Sequence, residues 1–352
     1  MKRESRKGRG ATLQIEGRFE SVDRVSFDDG WIQDELPPFR TSVTVERPKS
    51  VIQRHASPDL PFSQSLNAYR GCEHGCIYCY ARPSHGYLNL SPGLDFETKL
   101  FAKPDAPELL RRELGKKGYC CEVLALGTNT DPYQPIERQW EITRKILELL
   151  LECSHPVSIV TKSALIERDL DLLVELSRRN LVQAFVSVTT LDAELARKME
   201  PRASSPKRRL EAMDKLNAAG VPCGVMAAPV IPFLTDSELE AILHAAHDSG
   251  ATSAGYALLR LPYELKMLFG DWLATHYPMK ARHVMNRLME MREGRENDPD
   301  FGSRMRGSGI FAELLEKRFR LASSKHGFGR APVMLDTSNF RAPLSGGQLR
   351  LF

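Results

Sequence analysis

Strand-like runs that alternate with amphipathic helical stretches constrain this chain more than any other feature in it. Four near-continuous apolar runs stand out at Glu122–Thr128, Val157–Ser163, Val182–Thr190 and Cys223–Pro232, with a fifth at Ser253–Pro262. Residues 64–69 supply a first strand ahead of them. Between the strands, apolar residues recur at helical spacing over Ile136–Leu151, 167–179, 206–219 and 235–249, and helical sequence resumes from Glu264. Strands that are apolar on both faces, separated by amphipathic helices, belong to a parallel sheet buried on both sides. Six βα units fall short of the eight that close a barrel.

The first strand runs straight into Gly-Cys-Glu-His-Gly-Cys-Ile-Tyr-Cys-Tyr-Ala-Arg-Pro, residues 71–83. Cys72, Cys76 and Cys79 stand there at C-x3-C-x2-C spacing. Gly71 and Gly75 let the backbone curl tightly enough for three sulfurs to converge. Thiolates are the soft ligands of iron–sulfur clusters, and three of them leave one iron of a four-iron cube open for chemistry. The competing reading is a structural zinc knot with His74 or His85 as fourth ligand, although such sites usually draw on two separated ligand pairs.

The C-x3-C-x-aromatic-C string, with Tyr78 ahead of the last cysteine, resembles the signature of the radical S-adenosylmethionine (radical SAM) enzymes. The longer string Cys-Ile-Tyr-Cys-Tyr-Ala-Arg-Pro is similar to the branch that includes spore photoproduct lyase. The resemblance covers about residues 62–262. It implies a partial (β/α)6 barrel of the TIM type, with which the strand count agrees. It also implies a [4Fe–4S] cluster on Cys72, Cys76 and Cys79, and S-adenosylmethionine (SAM) chelated at the open iron. Reductive cleavage of SAM would then release a 5′-deoxyadenosyl radical. A flavodoxin- or ferredoxin-type electron donor is implied with it.

Composition sets the surroundings. The chain has 352 residues, 42% hydrophobic and 27% charged, which suits a soluble globular protein with one large core or two modest ones. No apolar run approaches a membrane span, and the basic N-terminus lacks the apolar stretch of an export signal. Seven cysteines without a secreted-scaffold spacing point to a reducing, cytoplasmic setting. Residues 1–60 read as an N-terminal arm, disordered through about Gly10 and then wrapped on the core. Residues 61–290 read as the barrel, and 291–352 as a basic C-terminal extension with one ordered helix near 308–321. Residues 1–10 carry five basic residues against one acid, and 301–352 nine against three. Basic ends on an acidic middle point to a polyanion such as nucleic acid, or to solvated tails.

Ligands of parallel βα folds bind at the C-terminal ends of the strands. After the second strand, Thr130 and Asp131 are expected to meet the amino group of SAM, or to cap a turn and helix. A lysine in a barrel mouth must find an anion, so Lys162 is expected to meet the SAM carboxylate, a substrate phosphate or Asp131. Ser187 and Thr189 alternate onto one face and suit the ribose. Glu200-Pro201-Arg202 is similar to a motif of the branch. Arg202 would hold the SAM carboxylate in bidentate fashion and Glu200 the ribose or amine, unless the two pair with each other. Tyr78 completes the expected cofactor-binding set.

Cys120, Cys121, Cys153 and Cys223 all precede strands and belong to the opposite end of the barrel. Spore photoproduct lyase uses a cysteine hydrogen donor, and none is positioned for that role here, which argues against thymine-dimer repair. Tyr80, Tyr133 and Tyr256 remain as radical-relaying candidates, or as core tyrosines. The last five residues, Gln348-Leu349-Arg350-Leu351-Phe352, resemble the Gln-Leu-x-Leu-Phe peptide that binds the bacterial sliding clamp, with Arg in place of the usual Ser or Asp. Two apolar anchors on a mobile tail suit a partner's pocket; a tail folded onto the body is the alternative. The expected function is radical SAM chemistry on an unknown substrate, nucleic acid being favoured. The rivals are a protein- or peptide-modifying radical SAM enzyme and a non-catalytic metal-binding protein.

Overall fold

The computed structural model describes residues 8–15, 17–19, 40–295, 297–329 and 333–343. Ten strands occur among them. They are β1 (Ser42–Val45), β2 (Ile52–Arg54), β3 (Gln64–Leu66), β4 (Tyr69–Arg70), β5 (Lys99–Ala102), β6 (Leu124–Leu126), β7 (Val157–Thr161), β8 (Val182–Ser187), β9 (Cys223–Val230) and β10 (Ser253–Leu258). The main sheet has the order β10-β9-β8-β7-β6-β3-β2. Six of these strands run parallel, with β2 added antiparallel at the β3 edge. The helices of eight or more residues are α1 (Ala106–Leu114), α2 (Ile142–Glu152), α3 (Leu170–Arg178), α4 (Pro206–Ala218), α5 (Leu239–Asp248), α6 (Leu265–His276), α7 (Pro278–Glu290) and α8 (Gly309–His326). Among the described residues no helix is long and apolar enough to cross a membrane. The fold is α/β, a partial barrel of six parallel strands.

Strand phase explains how this sheet gets an outside and an inside. Val157, Ile159 and Thr161 of β7 are buried, while Ser158 and Val160 between them are only half-buried. The same outward set continues through Val182, Ala184 and Val186, then Val225 and Ala227, and packs beneath the helices as the principal core. A fully buried Val or Leu contributes about 1.5–3 kcal/mol, so this face fixes the register. The opposite face holds small residues. A Cβ on Gly224 would meet the Phe185 ring at 2.7 Å, and one on Gly255 would meet Met226 Sδ at 2.7 Å. The lumen is narrow at that level.

The first sixty residues differ from a featureless arm. β1 pairs parallel with β5, and β5 pairs antiparallel with β4, in a small second sheet. β1 and β2 are too short to have been set by propensity; they exist because a neighbouring edge offers them partners. Nor is Gly8–Gly10 loose. Gly10 N–H and Ala11 N–H donate to the two carboxylate oxygens of Glu97 at 3.0 and 2.8 Å, and Ala11 and Ile15 are buried.

The extension does two jobs. Residues 302–305 cross the open side of the barrel: Met305 O accepts from Leu258 N at 2.9 Å at the free edge of β10. On the far side, Asp59 accepts from Gly302 N at 2.7 Å and pairs with Arg304 at 2.5 Å. The stretch 333–343 lies under the opposite end, where Phe340 packs edge-on to His155 and tilts against Tyr119. The helix expected near 308–321 runs on to His326, where Gly327 at φ 72° ends it.

Candidate active site

The cysteine loop follows β4 at the C-terminal end of the strands. Gly71 and Gly75 both take positive φ (72° and 69°), and a Cβ at either would come within 3 Å of Phe96 O or Glu97 Oε2. Those two positions are closed to other residues. Cys72 N donates to Phe96 O at 3.0 Å, Ile77 N to Met199 O at 2.9 Å and Arg202 N to His74 O at 3.2 Å, so the loop is pinned on three sides. Behind it a second core gathers Ile77, Tyr78, Met199, Ile231, Phe269 and Trp272.

Two buried charges that the motif alone does not reveal hold the loop from below. Arg82 donates to Cys76 O (2.8 Å), Gly75 O (3.0 Å), Pro92 O (3.1 Å) and Gly93 O (2.9 Å). Its remaining contact is an ion pair with Glu97, both side chains being fully buried. Glu97 in turn receives the Gly10 and Ala11 amides. An arginine and a glutamate thus satisfy the carbonyls that a tight loop leaves without partners.

Cys72 and Cys76 are 8% exposed, and Cys79 is half-buried. Burial first, and then repulsion from Asp131 and the other thiols, pushes Cys72 well up; burial and then Glu200 push Cys76 up, and burial raises Cys79. A metal bound in place of their protons would let such thiols carry negative charge. Among the described residues no three His, Cys, Asp or Glu side chains converge on one point, as a single bound ion would require. A cube with one iron per sulfur asks for no such convergence. His85 Nε2 meets Lys99 O at 3.0 Å and its ring packs edge-on against Phe96, while its Nδ1 is buried without a hydrogen-bond partner. His74 Nδ1 lies 3.4 Å from Asp131.

Thr130 and Asp131 tie the next strand end to this loop. Thr130 Oγ1 donates to Gly71 O at 2.7 Å, and Gln134 Nε2 donates to Thr130 Oγ1 at 2.9 Å while its Oε1 accepts from Glu73 N at 2.9 Å. Asp131 accepts from Tyr133 N (2.9 Å), Thr161 Oγ1 (2.7 Å) and Lys162 N (2.7 Å). Burial alone would raise its pKa, but the His74 charge and the donated hydrogen bonds hold it down at about 2. Both side chains therefore serve the turn, and Lys162 meets Asp131 through its backbone rather than its ammonium.

Lys162 Nζ sits 5.7 Å from the centre of the Tyr78 ring and is felt by the Cys76 and Cys79 thiols. No carboxylate among the described residues pairs with it. Tyr78 OH donates to Glu200 Oε1 and lies 3.1 Å from Thr189 Oγ1, which itself donates to Glu200 Oε1 at 2.8 Å. The other Glu200 oxygen is held by Arg209, which also donates to Ser187 O at 3.0 Å and Ser204 O at 2.7 Å. Glu200 and Arg209 form a buried pair, so the Glu200–Arg202 pairing is replaced by this one. Arg202 instead meets Glu73 at 2.9 Å beside the cysteine loop. Ser187 and Thr189 share the inward face of β8 and its continuation, and both are buried.

The three tyrosine candidates separate. Tyr80 is 50% exposed at the mouth, and its hydroxyl donates to Thr128 O across from the cysteine loop. Tyr133 is fully buried outside the barrel, with Asp169 and Glu137 as neighbours and burial pushing its pKa well up. Tyr256 shares the outward phase of β10 and packs on Phe319 of α8 at 4.6 Å. Neither reaches the mouth. Cys153 and Cys223 are buried at the opposite end, at the close of α2 and the start of β9.

Comparison with known proteins agrees with this geometry. Residues 66–246 match the family model described as the Radical SAM superfamily, just over half of the chain. An uncharacterised protein of Mycobacterium tuberculosis is 38% identical over 266 residues, covering 75% of this chain and 76% of its own. An uncharacterised protein of Acidianus two-tailed virus is 33% identical over 269 residues, covering 74% and 81%. Among solved structures, spore photoproduct lyase complexed with dinucleoside spore photoproduct superposes with a TM-score of 0.60 at 16% identity, covering 81% of this chain and 80% of the other. At that identity the likeness is one of fold.

Proposed function

The chain belongs to the Radical SAM superfamily, and we propose that it acts on a nucleic acid. Its cofactors are a [4Fe–4S] cluster and SAM, which when bound would supply reductive radical chemistry. Cys72, Cys76 and Cys79 are the residues that hold the cluster in this reading. The observation that carries it is the set of three thiols, two buried and one half-buried, on one pinned loop, faced by a lysine without a carboxylate partner, at the mouth of a six-stranded parallel partial barrel.

The chain's own groups divide the work. Lys162 receives the SAM carboxylate, since an ammonium there otherwise faces only a ring and thiols. Ser187, buried and inward-facing, is offered to the ribose. Tyr78, Thr189, Glu200 and Arg209 form a satisfied network that keeps the Tyr78 ring and strand β8 in place. Thr130 and Asp131 hold the loop to the strand ends, and Arg202 reaches SAM only by leaving Glu73. Tyr80 is the tyrosine within reach of a reacting substrate.

The nucleic-acid part rests on the basic chain ends, on the cations at the mouth, and on the dinucleoside lesion bound by the structurally similar spore photoproduct lyase. A flavodoxin- or ferredoxin-type protein would supply electrons. Gln348–Phe352, which lie outside the described residues, would dock the enzyme on a sliding clamp; a peptide of residues 344–352 that does not bind a bacterial clamp would remove that partner.

The test is anaerobic reconstitution with iron and sulfide, addition of SAM and dithionite, and measurement of 5′-deoxyadenosine. Product is expected from the wild type and not from Cys76→Ala. Zinc retained in place of a cluster would overturn the enzyme reading. Single-stranded oligonucleotide binding that weakens steeply with salt is expected of a nucleic-acid substrate, and binding indifferent to salt would favour a protein or peptide instead.

A further inference from the structure

Buried cations in this protein are paired with care. Arg82 has Glu97, Arg209 has Glu200, and Arg304 has Asp59 with Ser57 Oγ at 2.6 Å. Arg292 donates to Leu259 O at 2.6 Å and Arg304 O at 3.3 Å. Arg260 breaks the pattern. It stands two residues past the end of β10, half-buried, with its Nε buried and lacking any hydrogen-bond partner. Its Nη1 reaches only the Met305 sulfur, at 3.9 Å. No carboxylate forms an ion pair with it among the described residues. Burial and then the adjacent Arg304 charge lower its pKa, against the charges of Asp59 and Asp298.

A guanidinium in this position costs free energy until an anion reaches it. The neighbours define where that anion would lie. Met305, whose sulfur Arg260 Nη1 meets, lies in the segment crossing the barrel's open side, Arg292 donates to Leu259 O next to Arg260, and Tyr80 stands half-exposed at the mouth. The nearest acids do not fill the gap. Asp59 is taken by Arg304 and by Gly302 N, and Asp298 accepts from Asp300 N at 2.8 Å. The site is thus on the β10 wall of the mouth, whereas Lys162 is on β7.

We propose that Arg260 is a phosphate receptor that seats a backbone phosphodiester of a single-stranded nucleic acid at the barrel mouth. The proposal rests on the nucleic-acid reading above. A planar guanidinium whose Nη1 meets nothing stronger than a thioether can give two donors to one phosphate. Tyr80 beside it presents an aromatic face on which the adjoining base can stack. A carboxylate has the same chemistry, so the SAM carboxylate is the competing occupant.

The test uses the reconstituted holoprotein and a fluorescein-labelled 12-nucleotide single-stranded DNA, read by anisotropy at several potassium chloride concentrations, with SAM affinity measured separately by equilibrium dialysis. Arg260→Met is expected to weaken the oligonucleotide by about 10- to 100-fold, the value of a charge-assisted contact. It should also reduce the slope of log affinity against log salt by about 0.7, and leave the SAM dissociation constant within twofold. Arg260→Lys should recover part of the affinity and all of the slope. Lys162→Met should do the reverse of Arg260→Met, weakening SAM and sparing DNA. Arg178→Met on the outer helix α3 controls for lost charge. Unchanged DNA affinity and slope in Arg260→Met would overturn the proposal. So would a tenfold loss of SAM affinity with DNA unaffected, which would assign Arg260 to SAM. A wild type that binds no DNA yet makes 5′-deoxyadenosine would refute the proposal and the nucleic-acid reading together. A wild type that makes no 5′-deoxyadenosine would defeat the enzyme reading alone, because the DNA arms still report on Arg260.

Discussion

Replacing Arg82 with methionine tests whether the cluster loop is held from behind by charge. The side chain is fully buried and makes four hydrogen bonds to carbonyls of residues 75, 76, 92 and 93, besides its pair with Glu97. Methionine keeps much of the volume but strands the Glu97 carboxylate, and breaking one side of a buried pair costs about 3–5 kcal/mol. Glu97 keeps the Gly10 and Ala11 amides, which favours the lower half of that range. With a urea slope of about 3 kcal/mol per molar, the midpoint should fall by about 1 M. Iron retained after reconstitution should fall with it, because Gly75 O and Cys76 O lose their donors. The double variant Arg82→Met/Glu97→Gln removes the stranded charge while preserving an acceptor for the two amides. It should recover about 1–2 kcal/mol, within the range of contacting pairs. A midpoint shift below about 0.3 M with full iron content, or strictly additive behaviour of Arg82→Met and Glu97→Gln, would refute the reasoning.

Gly10→Ala should loosen the N-terminal arm, since its Cβ would lie 1.8 Å from Gly75 O. Faster bleaching of the reconstituted cluster in air is expected, and an unchanged bleaching rate would show that the arm does not shield the loop. His155 supplies a pH signature at the opposite end of the barrel. It is buried, with Tyr119 OH at 2.8 Å and Phe340 edge-on, and burial lowers its pKa to about 4. The unfolded imidazole titrates near ~6.5, so between about pH 6.5 and 4 the unfolded chain takes up a proton that the fold refuses. Stability is lost as pH falls through that window, by roughly 3 kcal/mol in all. The urea midpoint of the wild type should fall more steeply there than that of His155→Gln, and parallel curves would refute the assignment.

The six strands, the cysteine loop and the end of the sheet at which it sits were legible because each depends on a local signal. Apolar runs mark the strands, and glycines beside cysteines mark the curl. What was not legible depends on partners far apart in sequence. Glu97 joins Gly10 across 87 residues, and nothing near either predicts the other. Arg82 stood inside the quoted motif, and its position three residues after the last cysteine was the one available hint. Glu200 pairs with Arg209 rather than the adjacent Arg202 because Glu200 closes a short helix, Ala193–Met199, that points its side chain inward. Arg209 then returns to it from the first turns of α4, capped by Ser205 with Pro206 behind it. Tyr256 was misplaced for a simpler reason, strand phase. It shares the outward set with Ala254 and Leu258, and the intervening Gly255, tight against Met226, marks the lumen side.

Buried polar groups separate the parts of this molecule that hold still from those that await something. Beneath the cysteine loop the buried charges are answered. Arg82, Glu97, Glu200, Arg209, Asp131 and Gln134 all have partners, and such networks rigidify what they enclose. That rigidity suits a loop that must place three sulfurs before any cofactor arrives. The mouth is built on the opposite principle. Lys162 and Arg260 face the same opening from β7 and from beyond β10, one against a ring and thiols, the other with a bare Nε. Both are half-buried, so each carries part of the desolvation cost of a charge without the compensation of a carboxylate partner. Two half-buried cations on different strands, β7 and beyond β10, fit the two proposals made above: the carboxylate of the cofactor would meet Lys162, and a phosphate of the substrate would meet Arg260.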